Sequence, residues 1–175
     1  MNLYLIAEEN VSTLTRRDLL KAKFGSSQHV VRLPWVRNEL EFSDNCTRCN
    51  DCMLACPEKI IIKGDGGFPE INFNKGECTF CTECVKVCSE NLFFSIDDEP
   101  WKLKANITDD CLAVKKVVCL VCGEQCEAEA ISFIPKVGGE SKPILSIDEC
   151  TGCGACSKPC PTNAINFNYT NEFNI

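Results

Sequence analysis

Short apolar runs recur along the chain, separated by glycine-rich or acidic turns. Pro57-Glu58-Lys59-Ile60-Ile61-Ile62 is followed by Gly64-Asp65-Gly66-Gly67 and then Ile71-Asn72-Phe73. Ile71-Asn72-Phe73-Asn74 alternates apolar and polar, the period-two pattern of a half-buried strand. Further on, Ala130-Ile131-Ser132-Phe133-Ile134 is followed by Val137-Gly138-Gly139 and then Ile144-Leu145-Ser146-Ile147. Both stretches predict a hairpin of two short strands. Leu92-Phe93-Phe94-Ser95-Ile96 and Ala164-Ile165-Asn166-Phe167 each predict one further short strand. Hairpin, strand, hairpin, strand divides the chain in two, with the join at Asp97-Asp98-Glu99-Pro100, where Pro100 blocks regular structure. Upstream, Thr15 with Asp18 makes a capping box that predicts a short helix through about Phe24.

Between these runs stand the cysteines, 16 in 175 residues, a density that indicates either a disulfide scaffold or a metal protein. They fall into quartets. Cys46, Cys49, Cys52 and Cys56 form the first, Cys78, Cys81, Cys84 and Cys88 the second, and Cys150, Cys153, Cys156 and Cys160 the fourth, all reading C-x2-C-x2-C-x3-C. The third, Cys111, Cys119, Cys122 and Cys126, reads C-x7-C-x2-C-x3-C, with five extra residues after its first cysteine. The recurrence marks stacked copies of one unit.

A C-x2-C-x2-C loop gathers three thiolates around a compact centre and leaves a fourth position for a distant cysteine. In two-cluster ferredoxins the fourth cysteine of each run ligates the other cluster. Applied to this chain, a first [4Fe–4S] cluster takes Cys46, Cys49, Cys52 and Cys88, and a second takes Cys78, Cys81, Cys84 and Cys56. A third takes Cys111, Cys119, Cys122 and Cys160, and a fourth takes Cys150, Cys153, Cys156 and Cys126. The long gap after Cys111 leaves two readings: a full fourth cluster, or a three-cluster protein with a degenerate third motif. Pro57 and Pro161 supply the proline that follows the last cysteine of a ferredoxin run; Ser89 and Glu127 replace it elsewhere. Gly152 and Gly154 predict close approach of backbone N–H groups to the fourth cluster's sulfurs. Structural zinc uses separated C-x2-C pairs, often with histidine, and the single His29 lies far from every quartet.

The expected fold is α+β: two tandem bacterial-type 2[4Fe–4S] ferredoxin-like halves, 43–97 and 98–175, behind a basic N-terminal arm, 1–42. Charge sets that arm apart. The chain sums to −7, yet Arg16, Arg17, Lys21, Lys23, Arg32 and Arg37 face Asp18 alone between residues 16 and 37, a net +5 that leaves −12 elsewhere. Each oxidised cluster adds about −2, so the loaded body repels nucleic-acid phosphate. No run of 18 apolar residues exists, so no membrane span is expected. Thr15-Arg16-Arg17-Asp18-Leu19-Leu20-Lys21 looks like a twin-arginine export signal, but Lys21 and Lys23 interrupt the apolar stretch such a signal requires. A cytoplasmic location is expected, where thiols stay reduced and disulfides are rare.

Beyond the cysteines, the chain resembles the NapF family, ferredoxin-type proteins encoded with periplasmic nitrate reductases. The resemblance rests on Thr15-Arg16-Arg17; on Leu33-Pro34-Trp35 followed by Glu39, Phe42 and Cys46-Thr47-Arg48-Cys49; and on Gly66-Gly67-Phe68-Pro69 and Cys78-Thr79-Phe80-Cys81. Asp110-Cys111-Leu112-Ala113 and Cys150-Thr151-Gly152-Cys153-Gly154-Ala155-Cys156 add to it. The chain departs at Thr151, where asparagine is usual in the family, and in a longer N-terminal lead. The resemblance implies a cytoplasmic protein that binds the catalytic subunit of periplasmic nitrate reductase in its precursor form. It implies help with that subunit's maturation, by assembling or reducing its [4Fe–4S] centre, before export. No nucleotide loop or catalytic dyad is visible, so no enzyme is expected. The alternatives are a plain electron carrier and an electron-transfer subunit of a redox complex. Trp35 and Trp101 discriminate: exposed, they make a partner surface; buried, they are core.

Overall fold

The computed structural model describes residues 30–135 and 141–170. Thr15, Arg16, Arg17, Asp18, Lys21, Lys23 and His29, with the short helix expected among them, lie outside the described residues.

Elements are short because the chain returns to a cysteine every few residues. Helices are α1 Glu39–Asn45, α2 Asp51–Ala55, α3 Glu83–Lys86 and α4 Val121–Glu124; strands are β1 Ile61–Lys63, β2 Pro69–Ile71, β3 Leu103–Ile107, β4 Ile131–Pro135, β5 Ser141–Leu145 and β6 Ile165–Tyr169. One arrangement occurs twice. The hairpin β1–β2 pairs Ile61 with Ile71 and is bracketed by an outer bridge between Val36 and Phe93. The hairpin β4–β5 pairs Ile131 with Leu145 and is bracketed by the outer pair β3–β6, where Leu103 opposes Tyr169 and Ile107 opposes Ile165. The turn expected at Val137-Gly138-Gly139 lies outside the described residues.

Residues 31–42, within the expected basic arm, pack onto the rest of the described chain. Val31, Leu33, Trp35 and Phe42 are buried in its core, and the Ile71 N–H donates to the Val31 carbonyl at 2.8 Å. Two of the arm's cations are structural. Arg32 pairs with Glu39 at 2.6 Å and stacks over Phe42 and Phe68; the Arg37 Nε donates to the Phe93 carbonyl at 3.1 Å. Asn38 caps α1 by accepting the Glu41 N–H at 2.8 Å, and the Cys46 N–H closes the helix on the Phe42 carbonyl at 2.9 Å. The helix therefore delivers the first thiol.

An aromatic joint ties the chain after β2 to the β3–β6 pair. The Phe73 ring lies 6.2 Å from Trp101 and 4.5 Å from Phe167, and Phe80 lies 5.6 Å from Trp101. The Trp101 Nε1 donates to the Thr151 carbonyl at 2.8 Å, and the Trp35 Nε1 donates to the Asp98 carbonyl at 3.0 Å. Both tryptophans are core. Leu103, 0% exposed, lies beneath this joint. Leu103→Ala is expected to cost about 2–5 kcal/mol, read as a lowered midpoint in anaerobic thermal unfolding of the iron-loaded protein.

Candidate metal centres

Three of the four metal loops are shaped by a pair of left-handed residues. In the first loop Arg48 and Asn50, the residues on either side of Cys49, have φ of 58° and 72°. In the second, Phe80 and Thr82 flank Cys81 at 53° and 67°; in the fourth, Gly152 and Gly154 flank Cys153 at 74° and 87°. Left-handed residues alternating with right-handed ones turn successive N–H groups toward one centre, a nest that attracts an anion. Non-glycine residues adopt this conformation at a cost of about 1–2 kcal/mol each, and for a β-branched residue such as Thr82 it is rare. The strain is held in place by what surrounds the nest.

The two glycines answer a second demand that the sequence did not reveal. A Cβ on Gly154 would fall inside the Phe73 ring, and one on Gly152 would strike the Leu103 carbonyl. Gly154 admits the Phe73 ring and Gly152 the backbone at Leu103, besides serving the loop's own turn.

Around the loops the thiols gather by site. Cys56, Cys78, Cys81 and Cys84 line one cavity of about 380 Å³ counted to its mouth; Cys111, Cys119, Cys122 and Cys160 line another of about 350 Å³; Cys126, Cys150, Cys153 and Cys156 line a third of about 320 Å³. Cys46, Cys49 and Cys88 are close enough to Cys52 to perturb it electrostatically. Cys111 therefore stands in the cavity of Cys119 and Cys122, and the five extra residues explain how. The Lys115 N–H donates to the Cys111 carbonyl at 3.0 Å, the Val117 N–H donates to the Leu112 carbonyl at 2.9 Å, and Lys116 takes φ of 68°. The insertion folds into a local turn that brings the chain back to the cavity.

Burial dominates the electrostatics. It pushes the Cys52 thiol up to about 11, with the thiolates of Cys46, Cys49 and Cys88 adding to the effect. Burial pushes Cys78 to about 12 against the opposing Phe80 N–H, and Cys84 to about 12 with help from Cys78 and Cys81. Cys122 rises to about 11 and Cys156 to about 12 by the same cause. Four thiolates cannot share a dry cavity without a cationic core between them. No three His, Cys, Asp or Glu side chains among the described residues are close enough to close on a single ion. Four thiols converging on one site, with left-handed turns beside the middle cysteine in three of the loops, suit a polynuclear iron–sulfide group. N–H groups also reach the sulfurs: Ala105 donates to the Cys150 Sγ at 3.5 Å and Ala164 to the Cys160 Sγ at 3.3 Å.

These features define an iron–sulfur protein of the ferredoxin type that carries multiple [4Fe–4S] clusters. Residues 45–93 match the family described as 4Fe-4S dicluster domain, and residues 143–166 match the 4Fe-4S binding domain family. The chain is 42% identical over 168 residues to the ferredoxin-type protein NapF of Haemophilus influenzae, covering 90% of this chain and 96% of that one. It is 39% identical over 155 residues to NapF of Escherichia coli strain K12, covering 89% and 94%. The ferredoxin-type protein NapG of the same strain is 31% identical over 151 residues, covering 74% of this chain and 65% of NapG. The chain belongs to the NapF family of ferredoxin-type proteins.

Among the described residues no helix is long and apolar enough to cross a membrane.

Proposed function

We propose that the sixteen cysteines hold four [4Fe–4S] clusters in two tandem ferredoxin-like halves, with the fourth cysteine of each quartet exchanged within its half. The first site is Cys46, Cys49, Cys52 and Cys88; the second Cys78, Cys81, Cys84 and Cys56; the third Cys111, Cys119, Cys122 and Cys160; the fourth Cys150, Cys153, Cys156 and Cys126. The observation that carries this assignment is the lining of the cavities: Cys56, Cys160 and Cys126 each stand with three thiols of another quartet. Bound clusters supply one-electron redox chemistry. The chain's own residues hold them, exclude water with Ile60, Ile61 and Ile107, and present N–H groups to the sulfurs.

The protein is cytoplasmic on this reading. It binds the catalytic subunit of periplasmic nitrate reductase in precursor form and helps it mature before export, by assembling or reducing that subunit's own [4Fe–4S] centre. It is not an enzyme in its own right. Membership of the NapF family supports the partner. The alternative, an electron carrier or an electron-transfer subunit of a redox complex, gains from one observation: Trp35 and Trp101 are buried and offer no aromatic surface to a partner.

One anaerobic preparation tests both levels. Iron should reach about 16 per chain, four per cluster; about 12 would remove one site. The same loaded protein, immobilised, should capture the precursor subunit. Capture of neither precursor nor mature subunit rejects the maturation role and leaves the carrier.

A further inference from the structure

The cavities are not arranged in chain order. In the first half α2, which carries Cys52, packs against α3, which carries Cys84, so the first and second sites are neighbours. At the joint the Cys78 N–H donates to the Cys153 carbonyl at 2.8 Å, so the second site adjoins the fourth. In the second half the outer strands serve as a ruler. Along β3, Leu103 lies under the joint at Gly152, Ala105 lines the fourth cavity and Ile107 lines the third. Along β6 the same sequence runs backwards: the Tyr169 hydroxyl accepts the Arg32 N–H of the first half at 3.3 Å, Phe167 lines the fourth cavity and Ile165 lines the third. Successive inward residues on a strand stand about 7 Å apart, so the third cavity begins about 13 Å beyond the joint with the fourth between them.

We infer that the four sites form one line in the order first, second, fourth, third, with Phe73, Gly154 and Trp101 as positioning residues that hold the second and fourth sites together. The inference rests on the four-site reading above. The first and third sites are the ends, and each half joins the line through its inner site. Passage across the joint is a one-electron exchange: as one of the two sites is oxidised its neighbour is reduced, with no bond made or broken and no proton moved. An external one-electron donor supplies the electron at one end.

Electron paramagnetic resonance of the dithionite-reduced, fully loaded protein tests the order. Wild type should show spin–spin broadening that links the halves. Phe73→Ala empties the space between Gly154 and Trp101 and should open the joint. The component linking the halves should then be lost, while the broadening within each half and the iron content stay at wild-type values. Phe73→Tyr, which keeps the ring, should retain the wild-type spectrum. If Phe73→Ala fails to hold iron, Trp101→Ala, which removes the ring facing Phe73 and its bond to the Thr151 carbonyl, decides. An unchanged spectrum in Phe73→Ala or Trp101→Ala with iron retained overturns the line. Wild-type iron well short of sixteen instead removes the four-site reading on which the line rests.

Discussion

Chelation of iron from the loaded protein is expected to unfold it in two stages, the second half first. The halves differ in what holds them. The first buries Val31, Leu33, Trp35, Phe42, Ile60, Ile61, Ile71, Phe73, Leu92 and Phe93. Past the joint, apart from Leu103, the second buries Ala105, Ala113, Ala130, Ile131, Ala164 and Ile165, with Cys111, Cys150 and Cys156 among them. Alanines and thiols bury little apolar area, and an isolated two-stranded hairpin is marginal in water. Iron shared between two quartets, as proposed above, would supply the missing cohesion, because its binding free energy becomes folding free energy. Hydrogen exchange after chelation should show protection lost first in β3–β6 and β4–β5, while β1–β2 and the backbone around Trp35 persist longer. Simultaneous loss in both halves would mean that the joint, and not each half's own core, sets stability. Retained protection throughout would mean that the apolar core suffices without iron.

The quartets and hairpins were legible because each has a local signature: cysteine spacing for the loops, alternation and glycine for the strands. β3 was not anticipated, although Leu103, Ala105 and Ile107 alternate with Lys104 and Asn106. A five-residue strand whose nearest partner, Ile165 opposite Ile107, lies 58 positions away has no turn beside it to mark it. The packing of segment 31–42 was hidden for another reason. Its charge set it apart, but Arg32 and Arg37 spend theirs on Glu39, ring faces and a carbonyl inside the first half. The left-handed positions were hidden by residue type. Gly152 and Gly154 advertise them in the fourth loop, and Arg48, Asn50, Phe80 and Thr82 hold the matching positions without advertising. Aligning the loops on their middle cysteine would have revealed the correspondence. The joint could not be read at all, since Phe73, Trp101 and Phe167 look like ordinary strand residues until the halves are docked.

Cys111→Ser is expected to lower iron by about a quarter, four of about 16 per chain, and to match Cys160→Ser in the spectroscopic component it removes. The two residues come from different quartets, 49 positions apart, yet they line one cavity with Cys119 and Cys122. Cys111 is 8% exposed and packs with Ala113, Ala164 and Cys160, so its sulfur is not a surface thiol. The third loop differs from the other three where a difference would matter. Leu120, just after Cys119, has φ of −124° and ψ of 0°, not the left-handed turn found after the middle cysteine elsewhere. Its nest is therefore incomplete, and the turn through Lys116 supplies the remaining curvature. A site with fewer converging N–H groups stabilises the reduced, more negative state less. The component lost in Cys111→Ser should accordingly be the last to appear in a reductive titration of wild type. Cys126→Ser should instead share its lost component with Cys150→Ser, because those residues meet in the fourth cavity. Iron unchanged in Cys111→Ser would make the third motif degenerate and leave three clusters. A component shared between Cys111→Ser and Cys126→Ser, members of one quartet, would mean that ligands are not exchanged between the loops.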